Sequence, residues 1–254
     1  PLKGLDEWTA AYALALPDDV VFSHITAARL WGLPLPRSIA AEPGLHVMRA
    51  TDRPRIERLR CVHHKGLEHR GVATQSGLPV TSLADTWLDL ASAYVDRLSL
   101  RDVVMMGDVV VERLRPTKFV DEVHPEADPS TPDWWRDPAT DGCQRLREIM
   151  LARPRFRGKA VAAEALRFIR PRVWSAMESY ARMVVVEAEL PEPKLNKSAH
   201  ADGTGALIGI VDLHWKSRFY RNKVAGEYQG KDDHAEDEPS RDRDNTRPLL
   251  LEDD

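Results

Sequence analysis

Acidic side chains in the second half of the chain have the types and spacing that could do chemistry together. Asp212 and Glu227 each lie in a short, mostly apolar segment that is typical of a strand. A carboxylate in such a segment is costly unless it is paired or binds a cation. If the two segments form a hairpin, the 14 residues between the acids let both carboxylates meet at one end of a sheet. Oxygen ligands of this kind suit Mg²⁺ or Mn²⁺, which activates water and offsets charge on a phosphate oxygen.

Each candidate residue also has a plainer interpretation. Asp212 and Glu227 could be acids at strand ends that face water. Glu178, a third acid on a predicted helix, follows Ser175 by three residues, which is the spacing of a capping box. His234 follows closely behind Glu227, but it lies in a charged run typical of a solvated loop. From the residues alone, both interpretations stay open for all four.

The elements that would position these residues can be read from the periodicity of the second half. Helices are predicted over 143–152, 158–169 and 175–190, and strands over 207–213 and 223–228. Residues 116–140 are rich in Pro, Asp, Glu, Ser and Thr, which predicts a linker. We therefore predict a C-terminal domain over 141–254.

The first half predicts a different kind of domain. Ser23 precedes a short helix over 25–32, and strands are predicted over 45–48 and 60–64, which is the order of a winged helix-turn-helix. Further helices are predicted over 5–16, 83–93 and 98–114. His63 and His64, beside Lys65, are predicted to be a surface pair at the end of a strand. The N-terminal domain is thus a winged helix with an associated helical region, over 1–115.

Length and composition bound the class of protein. The chain has 254 residues, 43% hydrophobic and 30% charged positions, and a net charge of -4, which is ordinary for two globular domains. No apolar run approaches the roughly 20 residues of a membrane helix, and the first segment lacks the pattern of a signal peptide. Cys61 and Cys143 are isolated, so neither a disulfide framework nor a zinc knuckle is supported. We expect a cytoplasmic protein without a membrane partner.

The charge is distributed unevenly along the chain. Residues 173–254 hold 11 Lys or Arg against 17 Asp or Glu, whereas the remaining residues carry a small positive excess. Two basic stretches, over 49–70 and 145–172, suit a polyanion, although a solvated face is the alternative. The candidate nucleic-acid contacts are Arg29, Arg53, Arg55, Arg157 and Lys159.

The C-terminal residues resemble the endonuclease-like domain related to very-short-patch-repair nucleases, of the PD-(D/E)XK restriction-endonuclease-like fold. The motifs that carry the resemblance are Arg157-Gly158, Ser175-x-Met177-Glu178-Ser179, Arg182, Leu190-Pro191-Glu192-Pro193, Val211-Asp212-Leu213, Glu227-Tyr228-x-Gly230 and His234. The resemblance implies a mixed sheet flanked by helices, with Asp212 and Glu227 as metal ligands and Glu178 as a further catalytic acid. It also implies that His234 positions water or a phosphate.

The chain departs from that family at several positions. Gln229 stands where the fold usually has lysine, and glutamine can only hydrogen-bond to the attacking water, whereas lysine also supplies charge. Glu189 stands where relatives carry Gly. The sequence ends at Asp254, before the final strand that relatives have, so either it is a fragment or its sheet lacks that strand.

The N-terminal residues resemble antitoxins and transcriptional regulators of the AbiEi type. The motifs are Ser23-His24-x-Thr26-Ala27-Ala28-x-Leu30-x-Gly32-Leu33 and Gly77-Leu78-Pro79-Val80-Thr81-Ser82, followed by Thr86-Trp87-x-Asp89-Leu90-Ala91. This resemblance implies that residues 1–90 recognise DNA.

The sequence therefore predicts an α+β protein of two domains. The first hypothesis is a DNA-binding protein whose C-terminal domain is a Mg²⁺-dependent endodeoxyribonuclease acting on double-stranded DNA. The alternative is an antitoxin-like transcriptional regulator whose nuclease fold is catalytically degenerate. A cognate toxin and a second copy of the chain are further candidate partners.

Overall fold

The fold was examined in a computed structural model that describes residues 9–114, 141–153, 155–200, 204, 207–216 and 223–227. The chain divides into two compact units, Pro1–Pro171 and Arg172–Asp254, called here the N-terminal and C-terminal units. Both units combine helices with a sheet, so the protein is α+β. None of the described helices is both long and apolar enough to cross a membrane.

The N-terminal unit is built on a five-stranded mixed sheet. Its strands are β1 (Val21–Phe22), β2 (Leu45–Arg49), β3 (Cys61–Lys65), β4 (Val72–Gln75) and β5 (Leu78–Thr81), in the order β3-β2-β1-β5-β4. The pairs β1/β2 and β4/β5 are antiparallel, and β1/β5 and β2/β3 are parallel. Phe22 lies between Val47 and Val80 in the register, and all three side chains are buried in the core.

A two-residue turn at Ser76 and Gly77 joins β4 to β5. Both residues have positive φ, of 51° and 76°, which is the conformation of the turn that best matches the twist of a hairpin. The sequence Ser-Gly suits this turn because glycine adopts positive φ without steric cost. Pro79 follows in β5 opposite Thr74. From the sequence alone, the segment around Pro79 would only lead into the next helix, whereas the structure forms a strand there.

Helices pack around this sheet and against each other. They are α1 (residues 9–13), α2 (His24–Leu30), α3 (Arg37–Ala40), α4 (Leu83–Ala93), α5 (Leu100–Leu114), α6 (Asp141–Ala152) and α7 (Lys159–Phe168). Helix α4 begins at the N-cap Ser82, whose hydroxyl accepts a hydrogen bond from the Asp85 amide at 3.1 Å. It contacts α2, α5, α6 and α7. Trp87 is completely buried at its centre and donates through its indole N–H to the Val103 carbonyl at 2.9 Å.

The boundary between the two compact units, after Pro171, falls later in the chain than the domain boundary predicted from the sequence. The sequence analysis assigned residues 141–170 to the C-terminal domain, whereas α6 and α7 pack on α4 and α5. Their apolar faces therefore complete the N-terminal helical layer.

Gly142 allows α6 to approach α5 closely. A methyl group at this position would lie 2.7 Å from the Val111 Cα and 2.8 Å from its carbonyl oxygen, which are backbone atoms that cannot rotate away. We expect Gly142→Ala to destabilise the protein by about 1–3 kcal/mol, because overpacking outweighs the roughly 1 kcal/mol gain in helix propensity. Urea denaturation checks this, with the exposed Gln144→Ala of the same helix as the control; a stabilised Gly142→Ala protein would contradict the prediction.

The C-terminal unit is a helix followed by an antiparallel three-stranded sheet. The helix α8 (Ala176–Glu187) precedes β6 (Lys194–His200), β7 (Leu207–Lys216) and β8 (Lys223–Gly226), and the sheet order is β6-β7-β8. Val173, Leu195 and Leu213 form its buried apolar cluster, with Ala181 of α8 and Trp215 packed against them.

Candidate functional site

The strand register of the C-terminal unit places three polar residues side by side. Leu195 pairs with Leu213 and Lys197 with Val211, so Asn196 of β6 lies opposite Asp212 of β7. On the other side, Leu213 pairs with Gly226, and the same register continued by one residue sets Glu227 opposite Asp212. Directly opposite residues have Cβ atoms about 4.5–5.5 Å apart. Asn196, Asp212 and Glu227 are called the polar row below.

Burial changes along the polar row. Asn196 is buried, Asp212 is half-buried, and Glu227 is exposed just beyond the end of β8. The row therefore runs from the interior of the sheet to solvent.

Glu178 connects α8 to the polar row. Its backbone amide donates to the Ser175 hydroxyl at 3.1 Å, so the predicted N-cap of this helix is confirmed. Its carboxylate Oε2 accepts from the Trp174 amide at 3.0 Å and from Asn196 Nδ2 at 2.6 Å. The Glu178 carboxylate thus holds the backbone just before the N-cap and also holds Asn196, and its role as a catalytic acid stays a prediction.

Asn196 is held in an uncommon conformation with one atom unsatisfied. Its φ is +45°, and its Nδ2 donates both to Glu178 and to the Arg172 carbonyl, at 2.7 Å. Because both of these partners are acceptors, the amide nitrogen must face them. Its Oδ1 is buried and has no hydrogen-bond partner among the described residues. An acceptor left in that state typically costs about 1–3 kcal/mol, unless a water or an ion satisfies it.

Arg182, one turn after Glu178 on the same face of α8, forms an ion pair with Glu192. Arg182 is completely buried, and its Nη1 donates to Glu192 Oε1 at 3.0 Å. Glu189, where the resembling family carries Gly, follows the helix with φ of +57°. Left-handed backbone at the end of a helix favours glycine, so Glu189 holds a strained conformation at this position.

Two predicted catalytic residues belong to a part of the chain that the structure does not describe. Gln229 and His234 fall outside the described residues. Within the part that is described, no group of three or more His, Cys, Asp or Glu side chains is arranged to hold a metal ion. The oxygen donors that the strand register brings together are the two carboxylates of the polar row and the Asn196 amide oxygen. All are hard oxygen ligands, which suits Mg²⁺ or Mn²⁺.

Arg29, one of the predicted nucleic-acid contacts, has a structural role. Its Nη2 donates to the Ala40 carbonyl at the end of α3 and to the Glu42 carbonyl at 2.8 Å. Burial lowers the pKa of this guanidinium from its ordinary value. Arg29 therefore fastens α2 to α3, and its contact with DNA stays a prediction.

The other four predicted contacts are exposed. Arg53 lies 3.6 Å from the Asp19 carboxylate, and Arg55 is on the loop between β2 and β3. Arg157 forms an exposed ion pair with Asp96, and Lys159 is the first residue of α7. These positions are compatible with a polyanion partner, and the contacts themselves stay predictions.

Sequence reasoning missed a cluster of three histidines in the N-terminal unit. The rings of His24 and His64 stack with centroids 3.5 Å apart, and His46 Nδ1 lies 3.0 Å from His64 Nε2, at hydrogen-bond distance. His24, His46 and His64 are called the histidine cluster. The structure thus differs from the predicted surface pair, because His64 turns inward from β3 onto the first residue of α2.

Burial controls the charge of the histidine cluster. It lowers the pKa of His46 to about 4 and that of His64 to about 3, and it lowers the pKa of His24 well below its ordinary range. His24 also has φ of +47°, a left-handed conformation that is uncommon for this residue type, and its Nδ1 lies 3.1 Å from the Ser23 hydroxyl. No single motif signals the cluster, because its members come from three separate elements.

A buried ion network lies on α4 in the same unit. Asp85 and Asp89 are 3% and 2% exposed, and Arg153, just after α6, donates to both. Arg70 also donates to Asp89, at 2.8 Å, and the Gly71 amide donates to Asp85 at 2.8 Å. Charges this deeply buried require partners, so these contacts tie three chain segments together.

No protein-family model matches this chain, and a search of curated proteins finds no match either.

Proposed function

We propose that the C-terminal unit is a Mg²⁺- or Mn²⁺-dependent endonuclease module acting on double-stranded DNA, and that the N-terminal unit binds the same DNA. The observation that carries the proposal is the alignment of Asn196, Asp212 and Glu227 at one level of the sheet. The unpartnered Asn196 Oδ1 beside Asp212 fits a cation, because a hard cation is one of the few groups that satisfies a buried acceptor.

The order of elements supports the same proposal. The helix that carries Glu178 precedes β7, which carries Asp212, and β8, directly after which Glu227 lies; these are the three acids that the resemblance to the PD-(D/E)XK fold implies for the site. The proposal includes the prediction that residues 1–115 form a winged helix with an associated helical region, and that this region recognises the DNA.

The residues would divide the work as follows. Asp212 and Glu227 would hold the metal, which when bound supplies a Lewis acid that lowers the pKa of water and offsets phosphate charge. Glu178 holds the Asn196 amide nitrogen, which leaves the Asn196 oxygen for the site. Gln229 would orient the attacking water by a hydrogen bond, and His234 would contact water or a phosphate.

A second candidate function has one observation in its favour. The described residues contain no group of three acidic, histidine or cysteine side chains arranged for a metal. Together with Gln229 in the lysine position, this favours an antitoxin-like DNA-binding regulator with a degenerate nuclease fold. In that case the chain would bind DNA equally well with and without Mg²⁺, and a toxin protein would be its other partner.

Metal binding separates the two candidates. We expect calorimetry with Mn²⁺ to show saturable binding to the wild type and at least about tenfold weaker binding to Asp212→Asn, because the variant removes one charged ligand. Glu189→Gln, which removes one exposed charge from the same unit, is the control and should bind like the wild type. When the same proteins are incubated with supercoiled plasmid and Mg²⁺, the wild type and Glu189→Gln should cut the plasmid, and Asp212→Asn should cut it more slowly. Absence of saturable binding, or equal binding by Asp212→Asn, would favour the regulator.

A further inference from the structure

The segment between β2 and β3 displays a row of arginines on a fixed backbone. Residues 50–60, called the arginine loop, contain Arg53, Arg55, Arg58 and Arg60, all exposed, against the exposed acids Asp52 and Glu57. The whole chain is acidic, with a net charge of -4, so this local positive excess runs against the composition.

The topology explains why the arginine loop is stretched across the surface. Because β2 and β3 are parallel, with Leu45 opposite Cys61 and Arg49 opposite Lys65, the chain has to return over the length of β2. That is roughly 13 Å at about 3.3 Å per residue. Halfway along, Ile56 is buried in the core cluster. The inner side of the loop is therefore an apolar anchor, and its outer side carries the charges.

Side chains hold the loop backbone at several further points. Arg49 pairs with both Asp19 oxygens and donates to the Pro54 carbonyl at 3.1 Å, while Lys65 donates to the Thr51 carbonyl at 3.2 Å. At the far end, the Tyr12 hydroxyl donates to the Leu59 carbonyl at 2.6 Å. A solvated charge run needs none of these contacts. They preorganise the loop, which lowers the entropy lost on binding a partner.

Arg55 and Arg58 are the two arginines of the loop whose side chains have no competing partner among the described residues. The Asp19 carboxylate is committed to Arg49 and also lies near Arg53. The guanidinium groups of Arg55 and Arg58 form neither ion pairs nor hydrogen bonds with the residues that the structure describes. They line a shallow depression of about 460 Å³. Guanidinium groups bind phosphate through two parallel hydrogen bonds, so a free pair on a fixed loop suits a phosphodiester backbone.

An apolar surface adjoins these cations. Arg58 also lines a second depression, of about 540 Å³, together with Tyr12 and Leu59, and Leu59 is 83% exposed. The proposed contacts to a duplex come from the guanidinium groups beside this surface.

We propose that the arginine loop is a nucleic-acid-binding surface, on which Arg55 and Arg58 contact the phosphate backbone. This rests on the proposed function in that DNA is the partner of the N-terminal unit. It moves the principal contact from the helix α2, where Arg29 is committed to carbonyl groups, to the loop over β2 and β3.

The test is binding of the full chain to a fluorescein-labelled 20-base-pair duplex, measured by anisotropy over a series of KCl concentrations in EDTA. We expect Arg55→Ala/Arg58→Ala to weaken binding at least about tenfold at the lower salt concentrations. The slope of log K against log salt should fall by about two, since each phosphate contact contributes about 0.9. Arg55→Lys/Arg58→Lys should keep most of the slope because it keeps the charge.

The controls decide where the effect lies. Arg97→Ala/Arg113→Ala removes two exposed arginines that lie outside both basic stretches, and it should leave the slope nearly unchanged. An equal loss in this control, or none in Arg55→Ala/Arg58→Ala, overturns the proposal. Equal competition by a polyglutamate peptide would also overturn it, in favour of an acidic protein partner. The binding assay contains EDTA and so does not depend on a metal at the polar row. Failure of the nuclease proposal, which Mn²⁺ calorimetry measures, therefore stays distinguishable from failure of this one.

Discussion

Acidification from pH 7.5 to pH 5 is expected to loosen the sheet of the N-terminal unit, with strands β2 and β3 losing at least about a hundredfold in protection from amide hydrogen exchange. The cause is the histidine cluster. The pKa values of His46 and His64, about 4 and about 3, lie below the ordinary value of 6.5, and burial lowers that of His24 as well.

The sign of the effect follows from proton linkage. Below about pH 6.5 the unfolded chain takes up protons on these histidines while the folded protein does not, so the free energy of unfolding falls as the pH falls. The stabilisation is complete above pH 6.5 and is lost progressively towards pH 3. One pKa unit corresponds to about 1.4 kcal/mol, so the loss is on the order of several kcal/mol, against a typical total of about 5–15.

The geometry adds a limit on how many protons the cluster accepts. The contact between His46 Nδ1 and His64 Nε2 needs one N–H donor and one bare nitrogen. It survives with no added proton or with one, but two added protons make both nitrogens donors. Nearby charges act in the same direction, since Arg70 and Arg153 disfavour a charged His24 and Arg29 disfavours a charged His46. Glu42 near His46 acts in the opposite direction.

Hydrogen exchange followed by mass spectrometry, corrected for the intrinsic exchange rate at each pH, measures this effect strand by strand. His64→Gln should flatten the pH dependence, because it removes one of the titrating rings while its amide can still bond to His46. His69→Gln, at an exposed histidine, should leave the dependence as in the wild type. Constant protection of β2 and β3 down to pH 5 would show that the cluster does not resist protonation.

Much of the fold could be predicted from periodicity, but the shortest elements could not. Helices α4, α6, α7 and α8 and strands β2, β3, β7 and β8 lie close to their predicted bounds. Strands β1, β4 and β5 have only two to four residues, which is too few to show an alternating pattern. Strand β6 consists mostly of polar residues, such as Lys194 and Asn196, so its sequence lacks the apolar pattern that predicts a strand.

The candidate site divides in the same way. Asp212 and Glu227 could be brought together from the sequence because a hairpin relates residues that are close along the chain. Asn196 could not be added, because its place depends on a register between β6 and β7 that no local motif specifies. Likewise, the buried charges on α4 look like ordinary polar positions of an amphipathic helix, and their partners come from distant segments.

Arg153 is one of those distant partners, and its loss is expected to have the largest effect on stability. The residue follows α6, and its guanidinium bonds with both Asp85 and Asp89 of α4. Replacing it by Met fills similar volume but leaves two buried carboxylates with fewer partners. Breaking a buried ion pair from one side typically costs about 3–5 kcal/mol. We expect Arg153→Met to lose that amount in urea denaturation.

The contacts that Asp85 and Asp89 keep in the Arg153→Met variant determine which of the two carboxylates causes most of the loss of stability. Asp85 keeps the Ser82 hydroxyl and the Gly71 amide, whereas Asp89 keeps only Arg70 and already has one buried oxygen without a partner among the described residues. Asp89→Asn should therefore reduce the effect of Arg153→Met, and a double-mutant cycle should give a coupling of about 1–3 kcal/mol. Coupling near zero would place the effect on Asp85 or on packing alone.

The matched control for this prediction is Arg147→Met, at an exposed arginine of α6, which we expect to change stability by less than about 0.5 kcal/mol. A large loss at Arg153 with none at Arg147 would mean that α6 is joined to α4 through buried charge. That outcome would give a physical reason why the first compact unit extends to Pro171. The predicted linker over 116–140 lies outside the described residues. If both variants are equally mild, α6 is held by its apolar face alone, and Gly142→Ala becomes the substitution that should release it.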